Sequence, residues 1–379
     1  MASVFFRLDT ELRATPVPLE HLFAGPQRSA CWMIGGGPSL NDLPTDEIAR
    51  SPLPKMCLNL AGTHKLRPNF WTAYDPTARF LRSLYLDPGV LKFVHRRRAL
   101  DLVPETRFKV CECPGLLCFD RDPRRGFADL LSPQAAGIVD WADTFVQALD
   151  ILFRLGFRTI YLAGCELCVR PAEPHLARAA EVGCTYHPAE LLGEFVARCV
   201  SRGLTVSELE RLAPWPQYHF EEHKPLAAAI QTDRHYHRIV QCLRLSRACL
   251  VRHGLELVSV TPHSRLNDDF PYRPVQDVLR DIAATVGDPA RESTRGCYTN
   301  AASRQSAAGT GMLDCLPPRR SAASAALRTA SLSRYRRRAP CQAGDPAASA
   351  PADRLSFGEN SLPAAADDLV VQAEGWSAE

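Results

Sequence analysis

The chain has 379 residues, 46% of them apolar and 23% charged, with a formal net charge of +3. This composition excludes a disordered or collagen-like polymer, and so small a charge gives no case for nucleic acid as a partner. No run of about 18 apolar residues is present to span a membrane, and residues 1–10 lack a basic stretch followed by an apolar core, so the expectation is a cytoplasmic protein.

Residues 1–27 read as an N-terminal extension. Ala30 to Ile34 reads as a strand that ends abruptly at Gly35-Gly36-Gly37-Pro38-Ser39. Glycine has no Cβ, so such a turn can bring bare backbone N–H groups to a phosphate, and equally it can be a tight strand-to-helix turn with no ligand. It is neither a dinucleotide fingerprint nor a P-loop. A short helix over Pro44 to Arg50 leads to a strand from Met56 to Leu60 and another from Phe70 to Tyr74. Leu91 to His95, Phe108 to Cys111 and Leu116 to Phe119 read as further short strands. Trp141, Phe145, Ala148, Leu149, Leu152 and Phe153 recur at helical spacing, Gly156 stops that helix, and Thr159 to Ala163 is a buried strand ending at Gly164. A long helix from about Thr232 to His253 precedes a strand over Leu255 to Val260. This alternation predicts an α/β fold, a Rossmann-like, mostly parallel sheet with helices on both faces.

Residues 169–216 form an insertion with helical segments over Pro188 to Arg202 and Thr205 to Leu212, readable as a lid or as surface decoration. The folded domain is placed at residues 28–288. From Pro289 on, Ala, Ser, Arg and Pro dominate and only four aromatics remain, so 289–379 is expected to be a disordered tail. The fourteen cysteines read as free thiols. Cys111 and Cys113 with Cys118, and Cys165 and Cys168 with Cys184, depart from the two close pairs of a zinc site. The runs Arg96-Arg97-Arg98 and Arg336-Arg337-Arg338 read as solvated surface.

Strand ends of a parallel sheet converge on one crevice. They gather Gly35, Gly36, Gly37, Ser39, Asn59, Asp75, Thr144, Gly164, Glu166 and Ser264 as candidate ligand contacts. Asn59 suits a base or ribose, or an Asx-type turn; Asp75, before a proline, carries the same two readings. A second cluster holds His219, His223, His235 and His237, and histidine is the natural base for an acceptor hydroxyl near neutrality.

Ile34-Gly-Gly-Gly-Pro-Ser-Leu40, Asn59 at a strand end, Leu155-Gly-Phe-Arg-Thr-Ile-Tyr-Leu-Ala-Gly-Cys-Glu166 and Thr261-Pro-His-Ser-Arg-Leu266 follow one another in that order. Over residues 28–280 this resembles a superfamily of bacterial sialyltransferases that use CMP-activated sugars. The same superfamily includes motility-accessory-factor glycosyltransferases and hydroxymethylpterin pyrophosphokinase-like domains. The chain is most similar to a branch found in phage and environmental bacterial proteins. The resemblance implies a nucleotide-dependent transferase: a glycosyltransferase with a CMP-type nucleotide-sugar donor and a glycan or small-alcohol acceptor. It implies nucleotide contacts at Gly35, Gly36, Gly37, Ser39 and Asn59, and a histidine base at His219 or His223. Where relatives carry a Gly-Ser pair before the central helix, this chain has Asp140-Trp-Ala-Asp143-Thr144, which sets two carboxylates beside a phosphate. The alternatives are an ATP- and Mg²⁺-dependent pyrophosphokinase, with Asp75, Asp140, Asp143 and Glu166 on the metal, and a binding module without turnover.

Overall fold

The computed structural model describes residues 3–21, 23, 30–216, 218–219 and 225–286. The expected tail at 289–379 and the candidate base His223 lie outside the described residues. The apolar runs of the sequence become short strands: β1 (Phe6–Leu8), β2 (Ala14–Pro16), β3 (Ala30–Ile34), β4 (Lys55–Leu58), β5 (Phe70–Thr72), β6 (Leu91–His95), β7 (Leu116–Phe119), β8 (Arg121–Asp122), β9 (Ile138–Val139), β10 (Thr159–Ala163) and β11 (Glu256–Ser259). Nine of them form one sheet in the order β11-β10-β3-β4-β5-β6-β7-β1-β2; β8 and β9 pair separately. From β11 across to β7 every pairing is parallel. β3 and β4 are buried along their whole lengths, as strands covered on both faces must be.

The helices are α1 (Thr45–Arg50), α2 (Arg82–Leu86), α3 (Thr144–Arg154), α4 (Glu173–Glu181), α5 (Leu192–Ser201), α6 (Val206–Leu212), α7 (Leu226–Leu245), α8 (Arg247–Arg252) and α9 (Val275–Val286). From β3 the chain builds outward through β4 to β7, then returns to lay β10 and β11 on the other side of β3. Because parallel strands favour right-handed crossovers, connections running in opposite directions put helices on both faces of the sheet. They also leave a crevice between β3 and β10, where strand order reverses and where ligands of open α/β sheets bind.

Three details depart from the sequence reading. The N-terminal stretch is part of the sheet, because β1 pairs antiparallel with β7 and with β2. Phe108 to Cys111 adds no strand: Lys109 makes a single bridge to Leu102, and a 3-10 turn over Val110–Glu112 follows. The long helix starts at Leu226, six residues before the expected Thr232, and Ser246 separates α7 from α8. The insertion has its own apolar cluster, in which Phe195, Cys199, Leu209 and Trp215 pack against Leu226 and Ala229 of α7. Asp233 of α7 ties that cluster to the main domain. Its carboxylate accepts from the amides of Val169 (2.8 Å) and Leu192 (2.9 Å) and pairs with Arg265 at 2.8 Å. No described helix is long and apolar enough to cross a membrane.

Candidate functional site

A cavity of about 400 Å³ opens at the carboxyl ends of β3, β4, β5 and β10, walled on one side by α7. Its lining includes Asn59 (φ 54°), Ala142 (φ 51°) and Leu167 (φ 49°), three non-glycine residues in left-handed backbone. Such conformations cost about 1–3 kcal/mol each and gather where a site must be held in shape. Tyr74, Tyr218 and Tyr236 supply aromatic surface, and Asn59, Asp75, Asp143 and Glu166 supply hydrogen-bond acceptors.

The glycine turn enters this cavity, but its amides are largely occupied. Gly35 N–H donates to Ala163 O and Gly37 N–H to Gly164 O, both at 2.8 Å, which extends the β3–β10 pairing past the strand ends. A Cβ at Gly35 would collide with the carbonyl of Gly164, and one at Gly164 (φ 66°) with that of Gly35. Both glycines are therefore needed for two backbones to touch. A Cβ at Gly37 would strike the carboxylate of Glu166, whose Oε1 accepts from Ser39 N–H at 2.5 Å. The position expected for a ligand phosphate at Gly37 and Ser39 thus holds a carboxylate of the protein. Glu166 is 9% exposed, and its Oε2 has no hydrogen-bond partner among the described residues. Only Gly36 has room beside it: a Cβ there would rest 3.4 Å from the Tyr218 ring.

The second phosphate expectation fares differently. Thr144 and Phe145 open α3 at the cavity wall. Asp143 is the N-cap, its Oδ1 accepting from Val146 N–H at 2.9 Å. Its Oδ2 faces His235 Nε2 at 3.0 Å. The Asp143 charge is therefore met by the helix N-terminus and by an imidazole. Asp140 does not line the cavity, because its Oδ1 takes the Tyr74 hydroxyl and the Ala142 amide, both at 3.1 Å. The feared repulsion between two aspartates and a phosphate is thus largely removed. The Thr144 hydroxyl donates to Asn59 Oδ1 at 3.1 Å and accepts from Tyr74 N–H at 3.0 Å, which fixes the Asn59 amide at the cavity edge. Asp75 lines the cavity with Arg79 at 3.1 Å.

His235 is the histidine the structure brings to the cavity. The hydrogen bond to Asp143 raises its pKa above the ordinary value, against the opposing effect of burial. With its proton held on Nε2 by Asp143, neutral His235 keeps a basic Nδ1, for which no described residue is a partner. His219, by contrast, does not line the cavity. It is 6% exposed, its Nε2 accepts from Gly62 N–H at 3.0 Å, and its ring stacks on His64 at 4.7 Å. Burial holds its pKa down at about 3. With its lone pair committed to a backbone amide, it is a neutral packing residue and not a base. Ser264 is also structural: its hydroxyl donates to Cys165 O at 2.6 Å and caps the turn at Arg265–Asp268.

From the sequence, His235 is one of four clustered histidines and the base falls at His219 or His223. Gln231, Thr232, His235 and Tyr236 recur at helical spacing as one polar face of α7 that reaches the cavity, and this spacing was the available signal. Mg²⁺ does not fit the arrangement. Among the described residues no group of three or more His, Cys, Asp or Glu side chains converges, and Asp140, Asp143 and Glu166 each serve protein donors. Cys165 and Cys168 lie in the cavity wall, where burial raises both thiols, so neither is a ready thiolate. No family model, curated protein or solved structure matches the chain.

Proposed function

We propose that the chain is a nucleotide-dependent glycosyltransferase that takes a CMP-type activated sugar and transfers it to a hydroxyl. The observation that carries this reading is the His235–Asp143 pair beside the N-terminus of α3 in a cavity at the switch point of the sheet. Tyrosine faces and neutral or anionic acceptors suit a hydroxyl-rich ligand such as a sugar or nucleoside. In the transfer, His235 Nδ1 accepts the proton of the acceptor hydroxyl as its oxygen bonds to the sugar carbon. The bond from that carbon to the nucleotide phosphate breaks. The departing phosphate is then favoured by the amides of Thr144 and Phe145 at the positive end of α3. Asp143 keeps His235 in the tautomer that can take a proton.

The test is donor consumption with CMP-, UDP- and GDP-sugars, with and without added acceptors. One donor class should turn over, and H235A should lower the rate by about 10²–10⁴-fold, as loss of a general base does. Equal rates in wild type and H235A would refute the assignment. The occupied amides of Gly35, Gly37 and Ser39 favour a second reading, a nucleotide- or glycan-binding module without turnover. Calorimetric binding of a nucleotide with no transfer to any acceptor would select it.

A further inference from the structure

Within the cavity the described cations, Arg79 and His235, are each paired with a carboxylate, Asp75 and Asp143, so beyond the amides that open α3 it offers no unpaired cation to a second acidic group. Just beyond Tyr74, at the carboxyl ends of β6 and β7, the balance changes sign. Arg121 lays its guanidinium 3.6 Å from the centre of the Tyr74 ring. Its Nε and Nη2 donate to Gln147 Oε1 at 3.3 and 2.9 Å. Gln147 is 1% exposed, and its own amide is committed to Thr72 Oγ1 at 2.6 Å and Ala73 O at 3.3 Å. A buried network and an aromatic face therefore hold Arg121 in one orientation. It is half-buried, and among the described residues it has no carboxylate within ion-pair distance and no acceptor for Nη1.

Arg96, Arg97 and Arg98 follow β6 on a 3-10 turn at the same edge. Arg96 pairs with Asp120 at 2.9 Å, and Arg98 with Asp101 at 3.7 Å. Arg97 is exposed and has no ion pair among the described residues. His95 of β6 pairs with Phe119 of β7, so Arg97 and Arg121 each stand two residues past one register pair on neighbouring strands; burial, then the charges of Arg121, Arg97 and Arg98, hold His95 neutral, with a pKa of about 4. The carboxylates nearby are Asp120, paired with Arg96, Asp122, paired with Arg124 at 3.1 Å, Asp101, which also takes the Thr77 hydroxyl at 2.6 Å, and Asp140, engaged by Tyr74. A guanidinium fixed by neutral groups, with a second unpaired one at hand, is the arrangement that receives a phosphate or carboxylate in planar fashion.

We propose that Arg121 and Arg97 form an anion subsite separated from the cavity by Tyr74, and that it takes a phosphate or carboxylate group. Together with the cavity it selects a substrate with hydroxyls at one end and an acidic group at the other. That last step rests on the transferase reading; the subsite itself does not.

Binding is therefore measured without turnover. The melting temperature of the full chain is followed against inorganic phosphate and, separately, acetate at constant ionic strength. The wild type should show a saturable rise with at least one of them, and which one identifies the acid group. R97A and R121Q should each weaken that anion about tenfold, the loss of one charge-assisted hydrogen bond. R211A, which removes an exposed charge on α6, should leave it unchanged. Raising the salt should weaken wild-type binding. No saturable shift with either anion, or wild-type affinity in both R97A and R121Q, overturns the proposal. Should R121Q fail to fold, R97A alone decides, since its side chain has no partner among the described residues. A failed sugar-transfer assay alongside a positive anion titration removes the transferase reading and leaves the subsite standing.

Discussion

Replacing Asp143 by asparagine or alanine separates two roles that one carboxylate plays. Oδ1 caps α3 through Val146 N–H, and Oδ2 pairs with His235. Asparagine caps a helix as well as aspartate does, whereas alanine loses about 1 kcal/mol at such a position. D143A should therefore be less stable than D143N by about that amount at pH 8. The charge effect has a different pH signature. His235 has a folded pKa raised above its unfolded value, near 6.5. It then binds more protons folded than unfolded in the interval between those values. Its contribution to stability is fully present below pH 6.5 and is lost as the pH rises through the folded pKa. The deficit of D143N against wild type should accordingly be largest below pH 6.5 and close at higher pH. Urea melts at pH 5.5 and 8, with the His235 imidazole followed by NMR, measure both parts. An unchanged His235 titration in D143N, or a deficit independent of pH, would refute the pairing. As a base, His235 must be neutral, so the transfer rate should rise with pH along a limb centred above 6.5 that D143N moves down.

The remaining tests concern residues reassigned from ligand to scaffold. Gly37 has φ −67° and ψ 157°, a conformation alanine adopts freely, so only the Glu166 carboxylate resists a side chain there. G37A should destabilise the wild type by about 1.5–3 kcal/mol through loss of the charged bond to Ser39 N–H. In an E166A background the same change should be neutral, or stabilising by about 0.4–1 kcal/mol. A double-mutant cycle by urea unfolding measures the difference, and additive effects would sink the account. His219, with its pKa held at about 3, binds a proton when unfolded but not when folded between pH 3 and 6.5. Stability should fall with acid over that window by up to about 1.4 kcal/mol per pH unit for this group. His95, which is half-exposed, adds a smaller slope of the same sign down to about pH 4. H219A should flatten the slope, and a profile parallel to wild type would show that the ring is not held neutral.

The parallel sheet was legible because its strands are short apolar runs that stop at glycine or at Asn59, and because α3 carries a clean apolar stripe. What the sequence hid were elements with too little pattern to see. β1 and β2 are three residues each, and β2 is exposed throughout; only pairing to an existing sheet edge makes them strands. The start of α7 was hidden for another reason. Leu226 and Ala229 face the cluster of the insertion and not the main core, so the helix changes partner along its length and its apolar periodicity breaks.

The site was legible in place but not in role. Gly-Gly-Gly-Pro-Ser after a buried strand signals that backbone must come close to something, and a phosphate, a neighbouring backbone and a buried carboxylate all satisfy that requirement. Glycine reports the absence of a side chain, not the identity of what fills the space. Here Gly35 and Gly164 admit each other's carbonyls, and Gly37 admits Glu166. The histidines present the converse case. His219 and His235 are equally titratable as letters, yet one spends its lone pair on Gly62 N–H while the other meets a carboxylate at a cavity wall. Asp143 decides between them, and a sequence reader discounts it because an aspartate before a helix looks hostile to phosphate. Once that carboxylate is seen to be shared between an N-cap and an imidazole, its charge is met by the protein, and in the proposed transferase it is the group that keeps His235 in its reactive tautomer. Under the same proposal, the departure from the Gly-Ser pattern is the feature that moves the base onto α7.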